Sequence, residues 1–347
     1  MKTFYHTDIS KIEENALSQV QKLETYDTVT SVAVFPDIHF CDEKAVPVGL
    51  AFSTKYVIYP LITGKDMGCG VAFYKISKND CLKPFNKNEH YNAFNKAHMQ
   101  MSDEGLGGGN HFLSLEEDDK NLYIIVHTGT RNRGIYMYQR NTMLLQEYGN
   151  SEYFSIDFLL DKYPKWFDEY NGVVEYGKTR RKEFLEKTLN FLIRNKYVKA
   201  IDFDNKSYGD SVHNHIKREG EFWVHRKGST ELNNDIVVIP LSMTRGSLLV
   251  KQTNPLNNLN SASHGAGRKL SRTNTMKYWH ASLKERQRKE YKQQFSELLD
   301  KSNEFPKGYI QEFDFAYKDS SDLLKEQPFL QKITQTKPVC TVKFTEI

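Results

Sequence analysis

A histidine set among small residues is where this 347-residue chain could carry out covalent chemistry. His264 lies within residues 260–268, which read Asn-Ser-Ala-Ser-His-Gly-Ala-Gly-Arg. The small neighbours leave backbone room beside the imidazole, and Arg268 supplies a cationic partner for a phosphate. The stretch therefore suits a histidine that becomes covalently nucleotidylated. The alternative is a glycine-rich turn in which His264 only caps a helix that begins near Arg268.

Five further side chains could bind metal ions. Asp66 and Cys69 share a glycine-rich turn, and His111, His127 and His213 each border an apolar or glycine-rich segment. A soft thiolate favours a transition metal over Mg²⁺. If Cys69 bridges, the set suffices for two ions, which at roughly 3.5–4 Å apart would clamp the oxygens around a phosphorus. Taken alone, each of these residues is more often a structural residue than a metal ligand. The prediction therefore depends on all five occurring beside turns that could form a site.

Two loops offer groups for a phosphate or a base. The segment 225–230 places Arg226 and Lys227 ahead of a small polar turn, which suits a phosphate. Ser242 and Ser247 lie on a loop between buried strands and could hydrogen-bond a base or ribose. The alternative for the first loop is an exposed basic hairpin. The alternative for the second is a turn in which the serines only hydrogen-bond to the backbone of the turn. The basic run 178–182 is expected to be a solvated helix face rather than an RNA contact.

Short strands and amphipathic helices must position these residues. Apolar and β-branched runs predict the strands 29–35, 47–53, 56–61, 71–76, 236–239, 248–250 and 339–344. Helical periodicity predicts the helices 8–24, 180–195 and 283–299. We therefore expect a mixed α/β (α+β) protein with a helical N-terminal segment (1–28), a mostly helical cover (132–205) and an exposed helix (281–300).

Length and composition narrow the class of protein. Hydrophobic residues make up 39% and charged residues 27%, as in ordinary globular proteins. A net charge of +4 permits nucleic-acid binding without indicating it. The four cysteines lack CxxC spacing, and neither a signal-peptide pattern nor a run of about 18 apolar residues is present. We expect a cytoplasmic protein with reduced thiols and no membrane partner.

In their order along the chain, the motifs resemble those of the RtcB family of RNA ligases, from about Pro36 to Lys343. The similar elements are Pro36-Asp-Ile-His39, Pro47-Val-Gly49, Asp66-Met-Gly-Cys69-Gly70, Asn110-His-Phe112, His127-Thr-Gly-Thr-Arg131, His213-Asn214, Arg226-Lys-Gly228, Ser242-Met243 with Ser247, and His264-Gly-Ala-Gly-Arg268. The last is identical to the family's core signature. The resemblance implies a single domain over residues 1–347, with central packed β-sheets surrounded by helices.

The resemblance also implies a ligase that depends on GTP and two Mn²⁺ ions. Such an enzyme joins RNA ends carrying a 3′-phosphate or 2′,3′-cyclic phosphate to 5′-hydroxyl ends, in RNA repair or tRNA splicing. RNA is the expected partner, with room for an activating protein partner. His264 would attack the α-phosphate of GTP to form a phosphoramidate, and Cys69 would bridge the metal ions.

The implied site residues fall into three groups. The metal ligands would be Asp66, Cys69, His111, His127 and His213. Asn110, Arg131, Lys227 and Arg268 would hold phosphates. Asn110, Ser242, Ser247, His264, Gly265, Ala266, Gly267 and Lys343 would bind the nucleotide.

Three features depart from the family pattern. The family carries an acid that reads the guanine edge where this chain has Ser114, so the base lacks a partner worth about 1.5–3 kcal/mol, which puts strict guanine selection in doubt. The serine loop contains Thr244-Arg245-Gly246, and the chain continues past Lys343.

Two functions other than ligation remain as alternatives. One is a dinuclear-metal phosphatase or cyclic phosphodiesterase without nucleotide transfer, which Ser114 favours. The other is a non-catalytic RNA-binding paralogue.

Overall fold

The computed structural model describes residues 1–41, 46–99, 105–150, 152–233 and 235–343. The tail that follows Lys343 lies outside the described residues, as does the last position of the predicted strand 339–344. Among the helices within these ranges, none is both long enough and apolar enough to cross a membrane.

The described residues form both strands and helices, which confirms the predicted mixed α/β class. The strands are β1 Lys2–Tyr5, β2 Val29–His39, β3 Val48–Thr54, β4 Val57–Ile58, β5 Gly70–Ser77, β6 Phe112–Glu117, β7 Asn121–Thr128, β8 Phe154–Ser155, β9 Tyr208–Val212, β10 Asn214–Glu219, β11 Phe222–Lys227, β12 Ser229–Glu231, β13 Val237–Ser242, β14 Gly246–Gln252, β15 Ser261–Ser263, β16 Leu330–Gln335 and β17 Lys337–Val342. The α-helices are α1 Glu14–Glu24, α2 Lys87–Met99, α3 Asn132–Tyr148, α4 Ile156–Lys162, α5 Trp166–Arg194, α6 Arg272–Ala281, α7 Glu285–Gln294, α8 Lys307–Ile310 and α9 Ser320–Glu326.

Three sheets are packed face to face at the centre of the molecule. A five-stranded sheet has the order β1-β2-β3-β11-β10, a second has the order β17-β6-β7-β5-β9, and β13-β14-β16 form a third. The third sheet lies between the other two, because Val237 and Ile239 pack against the first sheet while Val238 packs against the second. This alternation explains why the run 236–239 is apolar at every position: both faces of β13 are buried.

Helices cover the outer faces of the two large sheets. Four apolar residues of α5 pack on β5 and β7, and they are Phe184, Leu185, Leu189 and Leu192. The predicted helix 180–195 is therefore the second half of a longer helix that starts at Trp166. Ala16, Val20 and Leu23 of α1 pack on β2 in the same way. The region 132–205 contains α3, α4 and α5.

Two predicted helical segments differ from the structure. The helix predicted at 8–24 begins only at Glu14, because the Asp8 side chain accepts a hydrogen bond from Ser10 N (2.9 Å) and closes a separate 3₁₀ turn. The segment 1–28 also contributes β1, which pairs in parallel with β2. In the segment 281–300, α7 has no buried residue, but Leu283 and Phe295 at its two ends are buried.

Candidate functional site

One cavity of about 380 Å³ lies where the three central sheets meet, and most of the predicted site residues line it. Those lining residues are Asp66, Asn110, His127, His213, Lys227, Ser242, Ser247, His264, Gly265, Ala266, Gly267, Arg268 and Lys343. Cys69 and His111 are buried and lie within contact distance of the lining side chains. Arg131 lies against the loop that contains Gly107. A Cβ built on Gly107 would lie only 2.7 Å from Arg131 Nη1.

The second sheet gathers the predicted metal ligands at one end. Cys69 precedes β5, His111 precedes β6, His127 lies near the end of β7 and His213 follows β9. The register aligns these ends, since Val71 and Phe112 both pair with His127. Neighbouring strands lie about 4.8 Å apart, so side chains at their adjacent ends come within ligand distance of one another.

Two imidazole rings contact the thiol of Cys69, and a third lies against one of them. The Sγ of Cys69 lies 3.3 Å from His111 Nε2 and 3.2 Å from His127 Nε2. On one side Asp66 Oδ2 is 3.4 Å from His111 Nε2, and on the other His213 Nε2 is 3.3 Å from His127 Nε2. The cysteine therefore lies between an Asp-His pair and a His-His pair.

Burial keeps two of the histidine ligands in the neutral form that binds a cation. It lowers the pKa of His127 and His213 well below the ordinary value, so both rings are neutral at neutral pH. His127 Nδ1–H donates to the Asn110 carbonyl (3.1 Å), which leaves the Nε2 lone pair facing Cys69. Burial also raises the pKa of the Cys69 thiol, and a bound cation would offset that cost by stabilising the thiolate.

The donor set fits a transition metal. Nitrogen and sulfur donors converge on one buried point, and Cys69, His111 and His127 have ligand atoms within 4.8 Å of one another. The Nδ1 atoms of His111 and His213 have no hydrogen-bond partner among the described residues.

His264 is held by a buried carboxylate rather than by a helix. Asp37 Oδ2 accepts from His264 Nδ1 (2.6 Å), from His264 N (2.9 Å) and from Gly265 N (3.3 Å). The alternative that His264 caps a helix is wrong, because α6 starts at Arg272 and its N-terminal cap is Ser271. The ring centroid of His264 lies 4.9 Å from that of His213, so this histidine borders the Cys69 cluster.

The small residues around His264 allow the chain segments to approach closely. Gly267 has φ +72°, and a Cβ there would lie 2.7 Å from Asp37 Cα. A side chain at this position would push the loop away from the carboxylate that holds His264. The glycine of the predicted signature therefore serves the contact with Asp37 as well as access for a ligand.

The predicted phosphate-binding residues differ in how free they are. Lys227 lines the cavity, and burial lowers the pKa of its amine. Arg268 is largely committed within the protein: it donates to Leu270 O (3.0 Å), Gln311 O (2.8 Å) and Thr275 Oγ1 (3.0 Å). The alternative of an exposed basic hairpin at 225–230 is wrong, because Arg226 is fully buried.

Arg131 adopts an unusual backbone conformation at the start of α3. Its φ is +53°, a region that residues with a Cβ rarely adopt, so the turn is strained. Its buried Nε has no partner among the described residues. Arg131 does not line the cavity, but its guanidinium lies next to the glycine-rich loop before His111.

Three of the predicted nucleotide-binding residues that line the cavity are Ser242, Ser247 and Lys343. Ser242 Oγ accepts from Arg245 N (3.1 Å), while Ser247 Oγ donates to Glu116 Oε1 (3.2 Å). Lys343 Nζ donates to Gly109 O (2.8 Å) and Gly308 O (3.1 Å) and lies 3.2 Å from Glu312 Oε1. These contacts fix the side chains on this wall of the cavity.

Several residues of the site were not predicted from the sequence. Asp37, which lies behind His264, belongs to the Pro36-Asp-Ile-His39 motif, which could have indicated a role for its carboxylate. Glu116 follows Ser114 by two positions on β6, so both side chains lie on one face of the strand. Glu312 and Tyr317 come from the segment after α8, which carries no pattern that indicates a site.

The basic run 178–182 is not simply a solvated helix face, as the sequence suggested. Lys178 and Lys182 are exposed, but Arg180 and Arg181 are buried under the site. Arg181 forms a two-point ion pair with Asp210 (2.6 and 2.8 Å), and its Nη1 donates to the carbonyls of Gly68 and Thr128. The arginines therefore support the backbone that presents Cys69 and His127.

Comparison with known proteins agrees with this arrangement. Residues 75–344 match the family described as tRNA-splicing ligase RtcB. The chain is 26% identical over 299 residues to the RNA-splicing ligase RtcB2 of Escherichia coli strain ATCC 25922, covering 76% of this chain and 74% of that protein. It is 24% identical over 314 residues to the RNA-splicing ligase RtcB of Escherichia coli strain K12, with 71% and 76% covered. Since the family match spans well over half of the sequence, the chain belongs to the RtcB family.

Proposed function

We propose that the protein is an RNA ligase that joins a 3′-phosphate or 2′,3′-cyclic phosphate end to a 5′-hydroxyl end, in RNA repair or tRNA splicing. The reaction would use GTP and Mn²⁺ and pass through a guanylate on His264. Family membership and the names of the relatives support the class of reaction. The proposed guanylate intermediate is supported by the position of His264. This residue faces the cavity next to His213, and buried Asp37 accepts a hydrogen bond from its Nδ1.

The contact with Asp37 prepares His264 to act as a nucleophile through Nε2. Because Nδ1–H donates to the carboxylate, the lone pair is on Nε2. Nε2 would attack the α-phosphorus of GTP, so that a P–N bond forms while the α–β phosphoanhydride bond breaks and pyrophosphate leaves. Asp37 would stabilise the positive charge that develops on the ring.

The RNA then reacts in two displacements. An oxygen of the RNA 3′-phosphate would displace His264 from the guanylate phosphorus, and the 5′-hydroxyl would attack the activated 3′-phosphorus and release GMP. A 2′,3′-cyclic end would first be hydrolysed to a 3′-phosphate. Lys227 and Asn110 would hold the phosphates through charge-assisted or amide hydrogen bonds, with Arg131 beside them and the remaining donor of Arg268.

We propose that the Cys69 cluster holds two Mn²⁺ ions, with Cys69 shared between them. The ligands would be Asp66, Cys69, His111, His127 and His213. When bound, the ions would act as Lewis acids on phosphate oxygens. The strand ends that carry these side chains are already aligned in the sheet, so little chain entropy remains to be lost on binding.

Labelling with GTP that carries radioactive phosphorus at the α position tests the proposal. We expect covalent label on the wild-type protein in the presence of Mn²⁺ and release of pyrophosphate. His264→Ala should abolish the label, whereas His280→Ala, which changes an exposed histidine on α6, should retain it. A ligation assay with 3′-phosphate and 5′-hydroxyl RNA would then show joining only where labelling occurs.

Two results would point to the alternatives. Removal of the RNA 3′-phosphate, or opening of the cyclic phosphate, with no label from any nucleoside triphosphate would indicate a metal-dependent phosphatase or phosphodiesterase. RNA binding that persists unchanged in Cys69→Ala, with no turnover in the wild type, would indicate a non-catalytic RNA-binding protein. Either result would contradict the ligase proposal.

A further inference from the structure

Asp37 lies in a stretch of β2 that regular strand pairing does not hold. The pairing of β1 with β2 ends at Val34, and the pairing of β2 with β3 is interrupted between Val34 and His39. Backbone groups buried in such a stretch need partners from outside the sheet. The position of the Asp37 carboxylate, which accepts from His264 Nδ1, therefore depends on those partners.

One lysine supplies partners on both sides of Asp37. The half-buried Lys318 donates from Nζ to Pro36 O (2.8 Å) and to Ile38 O (3.3 Å). Carbonyls two residues apart in an extended strand point to the same side, so a single amine can bridge them. An ammonium offers three donors and no acceptor, which suits a pair of carbonyl oxygens. Lys318 therefore holds the strand at the residue before Asp37 and at the residue after it.

The same lysine also binds the segment that carries His264. Its backbone N–H donates to Gly267 O (2.9 Å), three residues after the histidine. The preceding residue, Tyr317, forms an antiparallel β-bridge with Arg268. Lys318 is thus bound to the His264 segment through its backbone and to the Asp37 strand through its side chain.

The contact between Asp37 and His264 is sensitive to the relative position of these two segments. Oδ2 of Asp37 accepts from His264 Nδ1 (2.6 Å), His264 N (2.9 Å) and Gly265 N (3.3 Å). Because all three bonds reach one oxygen, a small shift of β2 away from the loop lengthens them together. The loop and the strand already touch closely, since a Cβ on Gly267 would lie 2.7 Å from Asp37 Cα.

We propose that Lys318 is a positioning residue for the nucleophile. By joining the Asp37 strand to the His264 segment, it keeps the carboxylate where it holds Nδ1–H and leaves the Nε2 lone pair free to react. Lys318 is not among the described residues that line the cavity, so it acts through Asp37 and not on a substrate. The inference rests on the proposed function in taking His264 as the nucleophile.

Nuclear magnetic resonance of the full chain without added metal reports on the His264 ring and requires no catalysis. A proton in a short hydrogen bond from an imidazole to a carboxylate resonates far downfield, and its absence from His264→Ala assigns it. We expect this signal in the wild type and in Lys318→Arg, which keeps cationic donors. Lys318→Met, which removes the donors, should move the signal upfield or broaden it. The matched control is Lys325→Met, which changes an exposed lysine on α9 and should leave the signal unchanged.

Single-turnover labelling with α-labelled GTP separates positioning from nucleotide binding. Lys318→Met should lower the maximal labelling rate roughly 10- to 100-fold, since a displacement of about 1 Å at a reacting group can cost about 100-fold. The GTP concentration that gives half the maximal rate should stay the same, because Lys318 does not line the cavity. Lys318→Arg should recover most of the rate. A thermal melt of each variant measures any loss of stability separately.

Three results would overturn the inference. They are a wild type that lacks the downfield signal, an unchanged signal in Lys318→Met, and a labelling defect in Lys318→Met that excess GTP removes. If Lys318→Met does not fold, Lys318→Gln takes its place. Its shorter side chain keeps one amide donor, and an unchanged signal and rate in this variant would equally overturn the inference.

The outcomes for Lys318 and for the ligase reaction are distinguishable. A downfield signal that is lost in Lys318→Met, in a protein that no nucleotide labels, would support the role of Lys318 and contradict the reaction proposed for His264. Covalent labelling of the wild type that proceeds at the same rate in Lys318→Met would do the reverse.

Discussion

Asp37 fixes three groups of the segment that carries His264, through one carboxylate oxygen. Burial would raise the pKa of Asp37, but the hydrogen bond from His264 and the charges of His264 and His39 hold that pKa below its usual value. The carboxylate therefore stays ionised at neutral pH. It orients the imidazole and counters the charge that forms when Nε2 reacts.

Asp37→Asn should slow nucleotide labelling of His264 while the protein remains folded. The amide keeps the shape and one acceptor but loses the charge, and a charge-assisted hydrogen bond contributes about 1.5–3 kcal/mol, so we expect the rate to fall roughly 10- to 100-fold. Single-turnover labelling measures the rate, and a thermal melt checks folding. Asp8→Asn, at the exposed 3₁₀ turn, is the control, and an unchanged rate in Asp37→Asn would contradict the role assigned to it.

Gly228 lies where a side chain would strike both the first sheet and the nucleophile. Its φ is +57°, and a Cβ there would clash with Val48 and lie 3.2 Å from His264 Cε1. Gly228→Ala should therefore destabilise the fold by more than the about 1–2 kcal/mol expected for the left-handed conformation, and should reduce labelling.

Gly220 provides the matched comparison for Gly228. It has φ +63°, and a Cβ there would meet no atom within 4 Å. Gly220→Ala therefore measures the conformational strain alone. Chemical denaturation of both variants gives the difference, and equal losses of stability would show that contact with Val48 and His264 contributes nothing.

Most of the site residues could be predicted because each lies at a glycine-rich turn or at the end of an apolar run, as Cys69 and His127 do. Asp37 and Glu116 could not be predicted in the same way, since their partners are distant in sequence. His264 is 227 positions from Asp37, and Ser247 is 131 positions from Glu116. A single acid within a strand gives no local sign of such contacts.

Buried arginines of helix α5 hydrogen-bond to the backbone of the site. Arg181 connects β9, through Asp210, with the backbone at Gly68 and Thr128. Gly177 of the same helix lies against this backbone, since a Cβ there would come within 2.8 Å of Gly68 O. The helix therefore fixes the position of the turn that carries Cys69.

Arg181→Met should destabilise the protein by about 3–5 kcal/mol, because it leaves Asp210 buried without a cation. Adding Asp210→Asn should recover part of that loss, since the second change removes the unpaired charge. Urea denaturation of the two single variants and the double variant completes the cycle. Additive losses in the double variant would show that the two side chains are not coupled.

The basic run 178–182 shows why it was harder to predict which side chains of a helix are buried than to predict the helix itself. Helical periodicity correctly indicated an amphipathic helix, but basic residues are usually solvated, so Arg180 and Arg181 were assigned to the surface. Their partners, Asp210 and the carbonyls of the site turns, come from other segments. The burial of these arginines depends on the tertiary fold and leaves no mark in the helix sequence.

Strand β12 ties the segment before His264 to the first sheet through Glu231. His215 Nε2 lies 3.1 Å from Glu231 Oε2, and Lys217 contacts the other oxygen. Burial would raise the pKa of Glu231, but the hydrogen bonds from His215 and Lys217 and the charge of Arg226 prevail and hold that pKa below its usual 4.5. The folded protein therefore binds a proton at Glu231 less readily than the unfolded chain.

Because the pKa of Glu231 is lowered in the folded protein, Glu231→Gln should reduce the free energy of unfolding by an amount that depends on pH. A carboxylate with a lowered pKa contributes stability that is complete above its unfolded pKa and is lost as pH falls toward the folded value. We expect wild type and variant to differ by about 1.5–3 kcal/mol in free energy of unfolding at pH 7, and to converge below about pH 4.5. Glu221→Gln, on an exposed pair with Lys55, should change little, and a difference that grows in acid would contradict the assignment.

The three central sheets bring together segments from the whole length of the chain. β17 pairs with β6, β11 pairs with β3, and β13 is buried between the two large sheets. Apolar runs predicted many of these strands, and the resemblance to the RtcB family implied central packed sheets. The order of the strands depends on long-range pairing, for which the individual runs contain no register information.

Metal binding should therefore stabilise the entire fold rather than one loop. Cys69 is 42 and 58 positions from His111 and His127, so the unfolded chain does not hold these ligands together. Binding to the folded state alone contributes about 2.7 kcal/mol when Mn²⁺ is present at 100 times its Kd. We expect Mn²⁺ to raise the Tm of the metal-free protein and a chelator to reverse the change. Cys69→Ala should remove this response, whereas Cys340→Ala, which changes a buried thiol on β17, should lower the starting Tm but keep the Mn²⁺-induced rise. An equal rise in Cys69→Ala would mean that the ion binds elsewhere, because a thiol shared by both halves of the cluster cannot be lost without weakening the site.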